Sequence, residues 1–190
     1  MPLFSSTQKI GIVIDQLSSF MRRFADVFRL PPPLPRPCDL VAVLENVVRL
    51  LSARTDSAGI TWRWELDDPS VLLAIDRGQM EQALLNILKN AMEAIEGDGT
   101  ITVRLMSRSA LVTLTIEDSG PGMTPEALSN LFTPFFSTKP NGQGIGLTLV
   151  QEILAGHGFH YALERTPQGT TRFTIVMSAQ GTFALPPSTH

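Results

Sequence analysis

Two glycine-rich spacings in this chain suit a phosphorylated ligand. Gly142-Gln143-Gly144-Ile145-Gly146 opens an apolar helical pattern of Leu147, Leu149, Val150, Ile153 and Leu154. Glycine lets the backbone come close to a ligand, and the free N–H groups of a first helical turn point at an anion. Asp118-Ser119-Gly120-Pro121-Gly122 follows a β-branched apolar run, so it begins where a buried strand ends. Its aspartate is either a turn former before Ser-Gly or a site acid. Upstream, Asn86 and Asn90 lie one above the other on a single helix face. Asparagine is a poor interior helix residue because its amide competes for backbone hydrogen bonds. Two in register are either surface amides or oxygens used by something outside the helix. Between the glycine runs lie Phe132, Phe135, Phe136 and Lys139. The 121–143 stretch is too long for an ordinary connection and is expected to be a mobile lid.

Composition bounds what can carry these residues. The chain has 190 residues, 43% hydrophobic and 17% charged, which fits a folded domain plus a smaller appendage. A net charge of −3 gives no sign of a nucleic-acid-binding face. Cys38 is the one cysteine, which excludes an internal disulfide and any multi-cysteine metal site. No apolar run approaches the ~20 residues that span a bilayer, and the N-terminus lacks the order of a signal peptide. A cytoplasmic location is expected, for the chain as a whole or as the cytoplasmic piece of something larger.

The elements follow from periodicity and punctuation. Residues 1–30 read as a helix with one apolar stripe, Ile10, Val13, Ile14, Leu17, Phe20, Met21, Phe24 and Phe28. Such a stripe needs a partner, in the same chain or in a second copy. Residues 31–38, PPPLPRPC, must end that helix and are expected to be an extended spacer. Asp39 caps a second helix, and Asp76 caps a third that carries Asn86 and Asn90. Strands are expected at 60–66, 71–75, 100–105, 111–116, 161–165 and 172–177. Residues 39–178 thus form an α+β unit, a two-layer α/β sandwich with a mixed sheet of about five strands on three helices. Residues 179–190 have no periodicity and are expected to be a disordered tail.

Five motifs now stand in one order: Asn86-x-x-x-Asn90-Ala91, Asp118-x-Gly120-x-Gly122, Phe132-x-x-Phe135-Phe136, Gly142-x-Gly144-x-Gly146 and Gly169-Thr170. They resemble the N, G1, F, G2 and last glycine boxes of the catalytic ATP-binding domain of sensor histidine kinases. That family belongs to the gyrase, Hsp90, histidine kinase and MutL ATPase superfamily, with the Bergerat-type ATP-binding fold. The wording FTPFFSTKPNGQGIGLTLVQEI is most similar to the nitrogen-regulation branch. The resemblance covers about Asp39 to Met177, and the N-terminal helix resembles the second helix of a dimerisation and histidine-phosphotransfer hairpin. The chain departs from the family in two ways. It has no acceptor-histidine motif, since its histidines are His157, His160 and His190, and its last glycine box has one glycine rather than a pair.

The resemblance implies a role for each box. Asn90 ligates Mg²⁺ directly, and Asn86 holds a metal-bound water or the phosphates. ATP hydrolases of the superfamily carry a glutamate at the position of Asn86; an amide cannot take a proton, so slow hydrolysis and transfer to a protein acceptor are expected. Glu81 and Glu93 are weighed as alternatives and read as solvated helix-face charges. Asp118 accepts from the exocyclic amine of adenine, and Gly120 and Gly122 let the ring lie against the backbone. Lys139, Gly142, Gly144, Gly146, Leu147 and Thr170 complete the ATP-binding set, and Phe132, Phe135 and Phe136 dock the lid.

The implied reaction is phosphoryl transfer from Mg-ATP to a histidine that is not in this chain. The implied cofactors are ATP and Mg²⁺. The implied partners are an acceptor hairpin, a response regulator and a second copy joined through residues 1–30. The isolated chain is expected to be inactive without its acceptor. A catalytically silent nucleotide-binding module, a gyrase- or Hsp90-type hydrolase and an anti-sigma-type serine kinase are the other readings.

Overall fold

The computed structural model describes residues 30–130, 136 and 144–178. Expectations on residues 1–29 (the N-terminal helix), 179–190 (the tail), Phe132, Phe135, Lys139 and Gly142 lie outside the described residues.

Strand β1 (Arg36–Asp39) leads into helix α1 (Leu40–Ser57), followed by β2 (Ile60–Leu66), β3 (Leu72–Ile75) and helix α2 (Arg77–Ala94). Then come the hairpin β4 (Gly99–Arg108) and β5 (Leu111–Asp118), the short helix α3 (Pro125–Asn130), helix α4 (Gly146–Gly156), β6 (His160–Arg165) and β7 (Thr171–Ser178). Asp39 caps α1 by accepting from the Val41 N–H, and Asp76 caps α2 by accepting from the Gln79 N–H. Both caps are where the sequence puts them, because a short carboxylate satisfies a donor the first turn leaves open.

The main sheet has the order β2-β4-β5-β7-β6, with only β2 and β4 parallel. A parallel pair needs a long crossover, and here β3 and α2 lie between its strands in sequence. The expected strand at 71–75 does not join this sheet. It is β3, and it pairs antiparallel with β1 in a separate two-stranded sheet. The last residues of the proline-rich segment are thus a strand of the domain, with Pro37 opposite Ala74.

One face of the main sheet is apolar and the other polar, because strand side chains alternate. Ile101, Val103 and Leu105 of β4, Leu114 and Ile116 of β5, and Phe173, Ile175 and Met177 of β7 are buried. They share one core with Leu40, Leu44 and Val47 of α1, Met80, Leu84 and Leu88 of α2, and Val150, Ile153 and Leu154 of α4. Each such side chain contributes roughly 1.5–3 kcal/mol by burial. The outer face carries ion pairs instead: Arg104 to Glu65 at 2.7 Å, and Arg172 to Glu117 at 3.0 Å and to Glu164 at 3.5 Å. This is the α+β two-layer arrangement expected, a mixed five-stranded sheet with its helices on one face. Among the described residues, no helix is long and apolar enough to cross a membrane.

Candidate functional site

Asn86 and Asn90 sit in the second half of α2, with Ile87 and Ala91 buried beside them. Asn86 Nδ2 donates to the Gln82 carbonyl at 2.9 Å, one turn back. A side-chain amide has two ends, so this bond fixes Asn86 Oδ1 away from its own helix. Its neighbour there is Gly146, the first residue of α4: a β-carbon at Gly146 would stand 3.2 Å from Asn86 Oδ1. The asparagine face of α2 and the glycine-opened end of α4 therefore meet. Gly144, just before, has φ +64, a conformation that glycine adopts without penalty.

Asp118 ends β5 and is buried, at 5% exposure. Its Oδ1 accepts from the Gly120 N–H at 3.0 Å, an Asx turn. The turn-forming and site readings of this residue are compatible, since it both builds the turn and lines a cleft. Gly120 runs against the end of α2, where an added β-carbon would stand 2.6 Å from the Ala94 carbonyl oxygen. Gly122 has φ +75, and an added β-carbon would overlap the Gly169 carbonyl oxygen. The turn after β5 and the turn before β7 thus touch backbone to backbone. Arg165 joins them, its Nε donating to the Gly169 carbonyl at 3.3 Å and its terminal nitrogen reaching the Pro121 carbonyl at 3.5 Å. Thr124 then caps α3 by accepting from the Ala127 N–H at 3.2 Å.

An open cleft lies between these parts. Asn90, Asp118 and Leu147 line it, together with Met123, Thr171 and Phe173. Its walls are apolar with few polar groups, the general pattern of a small-molecule site. Asp118 and Thr171 are directly opposed on β5 and β7, so both face the same side of the sheet.

The structure brings Asn86, Asn90, Asp118, Gly120, Gly122, Gly146 and Leu147 to one region. Thr170 is placed differently. Its hydroxyl lies 2.8 Å from Glu117 Oε1 and 2.6 Å from Thr166 Oγ1, on the outer side of the turn. Burial works to raise the Glu117 carboxyl, but hydrogen bonds from Thr170 and Arg172 offset this and hold it below the usual range. Thr171, not singled out in the sequence, lines the cleft. The alternation in TRFTIVM carried that signal, since Thr171 shares a face with the buried Phe173 and Ile175. Ile87 and Ala94 were legible as the continuation of the Asn90 stripe along α2. Met123 had no such signal. Glu81 pairs with Arg77 at 2.8 Å and Glu93 with Lys89 at 3.9 Å, both on exposed helix faces. Phe136 is half-buried.

Residues 75–181 match the family of Histidine kinase-, DNA gyrase B-, and HSP90-like ATPases. The chain is 33% identical over 169 residues to the C4-dicarboxylate transport sensor protein DctB of Rhizobium meliloti, covering 87% of this chain and 26% of that one. It is 34% identical over 196 residues to the sensory histidine kinase/phosphatase NtrB of the same organism, covering 92% and 50%. Its fold is similar to the nucleotide-free catalytic domain of histidine kinase ThkA, with a TM-score of 0.71 at 25% identity over 76% of this chain and 95% of that one. The chain spans between a quarter and a half of the length of these two curated relatives.

Proposed function

Since the chain belongs to the histidine kinase-, DNA gyrase B- and HSP90-like ATPase family, we propose that it is the ATP-binding catalytic domain of a sensor histidine kinase, moving the γ-phosphoryl group of Mg-ATP to a histidine outside these 190 residues. The observation that carries this reading is the pairing of Asp118 with Thr171 across β5 and β7, at one wall of a cleft whose other wall is the Asn90 face of α2. A buried carboxylate accepts and does not donate, so it selects the amine edge of adenine over the carbonyl edge of guanine. The glycines at 120 and 122 let the turn after β5 pack against the Ala94 and Gly169 backbone, which sets the turn that follows Asp118. The start of α4 directs backbone N–H groups to the phosphate chain.

Among the described residues there is no group of three or more His, Cys, Asp or Glu able to hold a metal. Magnesium fits nonetheless, because it takes one or two protein oxygens and fills its remaining positions with water and phosphate oxygens. Asn90 supplies the direct oxygen in this reading, and Asn86 orients a water or a phosphate. The ion, when bound, neutralises charge on the transferring group. Lys139 and Gly142 add a cation and a backbone donor to the phosphates.

The Asn86 amide speaks for transfer rather than hydrolysis, because it cannot remove a proton from water. The partners that follow are a histidine-bearing hairpin, a response regulator, and a second copy joined through residues 1–30. Incubation with γ-labelled ATP tests the whole reading. Label is expected on a supplied acceptor hairpin and not on the chain alone. Binding of ATP with no label on either would leave a silent nucleotide-binding module. Rapid release of phosphate without acceptor would indicate a hydrolase.

A further inference from the structure

Helices α2 and α4 run antiparallel, and their two ends differ. At one end Gly146 meets Asn86 beside the cleft. At the other, roughly 15 Å away along each axis at 1.5 Å per residue, the α4 C-cap His157 meets the α2 N-cap Asp76. The His157 ring is buried and stacks on Phe159 at 5.4 Å. Its Nδ1 lies 2.8 Å from the Ile153 carbonyl oxygen. A carbonyl only accepts, so Nδ1 carries the proton and Nε2 offers a lone pair. That lone pair accepts from the Asp76 N–H at 3.0 Å.

The same joint holds the proline-rich segment. Asp76 Oδ2 accepts from the Leu34 N–H at 3.0 Å, and Gln79 Nε2 donates to the Pro31 carbonyl at 2.9 Å. Gly156, the last residue of α4, faces Pro33, whose Cδ would stand 3.5 Å from an added β-carbon. Leu30 packs partly on the core, whereas Leu34 is 71% exposed, so at Leu34 it is a hydrogen bond rather than burial that fastens the segment.

We infer that His157 is a positioning residue that links the spacing of α2 and α4 to the seating of residues 31–34. The inference rests on the nucleotide reading above. A ligand that draws Asn90 and the start of α4 together acts on two stiff, packed rods whose far ends are pinned through one imidazole. Filling the cleft therefore tightens the seat of the proline-rich segment. By reciprocity, freeing that seat weakens nucleotide binding by the same factor.

Amide hydrogen exchange on the full chain, with and without Mg-ATP, tests this. In the unsubstituted protein, Mg-ATP is expected to slow exchange at Gly120 beside the cleft and also at Leu34 and Asp76. His157→Phe keeps the ring but removes the acceptor. Gly120 should still respond while Leu34 and Asp76 do not, and the ATP Kd should rise about fivefold. His157→Gln returns an acceptor and should restore most of both effects. Leu34→Pro deletes one N–H from an exposed residue without touching the core, and should also raise the Kd about fivefold. A joint that is only structural would lower stability in these variants and leave the Kd unchanged, which overturns the inference. So does a response to Mg-ATP at Gly120 with none at Leu34 and Asp76 in the unsubstituted protein. Silence at Gly120 as well would remove the nucleotide reading, and this inference with it.

Discussion

The two ends of the α2–α4 pair are built from opposite materials. At the cleft end, contacts run through glycine, where Gly120 passes the last turn of α2 with no room for a side chain and Gly146 passes close to Asn86. At the far end, contacts run through side chains bonded to backbone groups: His157 accepts from the Asp76 N–H, Asp76 accepts from the Gln79 N–H, and Gln79 donates to the Pro31 carbonyl. Glycine gives close approach at a cost in stability; a closed hydrogen-bond cluster gives stability and leaves no space. One helix pair thus carries a binding end and an anchoring end, and substitutions at the two should separate affinity from stability.

The sharpest break in that separation is expected at Asp118 and Asn90. Asp118→Ala should weaken ATP binding on the order of a thousandfold, because the amine edge of adenine loses its acceptor. Asn90→Ala should cost about a hundredfold in Mg-ATP affinity, with a smaller effect on ATP without metal. Calorimetry with and without magnesium reads both, and an unchanged Kd in either variant would remove that residue from the site.

Gly122→Ala tests whether the cleft end also bears on folding. It combines a left-handed backbone, roughly 1–2 kcal/mol, with overlap against the Gly169 carbonyl, roughly 1–3 kcal/mol. Urea unfolding should show a loss of about 2–5 kcal/mol. A loss below about 1 kcal/mol would mean that the two turns part easily.

At the anchoring end the effects are smaller and depend on pH. Asp76→Ala removes a helix cap and should cost about 1 kcal/mol near neutral pH. Hydrogen bonds from the Leu34 and Gln79 N–H groups hold the Asp76 carboxyl below its ordinary range. Its stabilisation is therefore fully present above the unfolded value near 3.9 and is lost as pH falls through the lower folded value. The difference in stability between the unsubstituted chain and Asp76→Ala should shrink as the solution is acidified from pH 5. A constant gap would mean that the charge plays no part. The smallest effects belong to Glu81→Gln and Glu93→Gln, both on exposed faces. Neither should change thermal stability or ATP binding measurably, and a lost activity in either would reopen the hydrolase reading.

The cleft end was largely legible in the sequence, because its parts are local. Asn86 and Asn90 share a helix face by spacing alone, and each glycine turn is a contiguous word. The exception is the choice of Thr171 over Thr170, which strand alternation decides and a motif does not. The anchoring end was not legible. Asp76 reads as an ordinary cap and His157 as a residue after a helix, and nothing local says that residues 81 positions apart are joined by a hydrogen bond. The proline-rich segment was misjudged for the same reason. Its composition dictates an extended chain, but pairing with β3 depends on a strand far along the sequence.

The ion pairs on the outer face of the sheet bear on the cleft, although they face away from it. Glu117 and Asp118 are neighbours, so β5 ends with one acid on each side of the sheet. A slip of one position against β7 would exchange them and still leave a carboxylate facing the cleft. Arg172, bonded to Glu117 through two nitrogens and paired with Glu164, makes the two alignments unequal. The solvent side of the sheet thereby determines which of two adjacent, chemically similar acids faces the cleft.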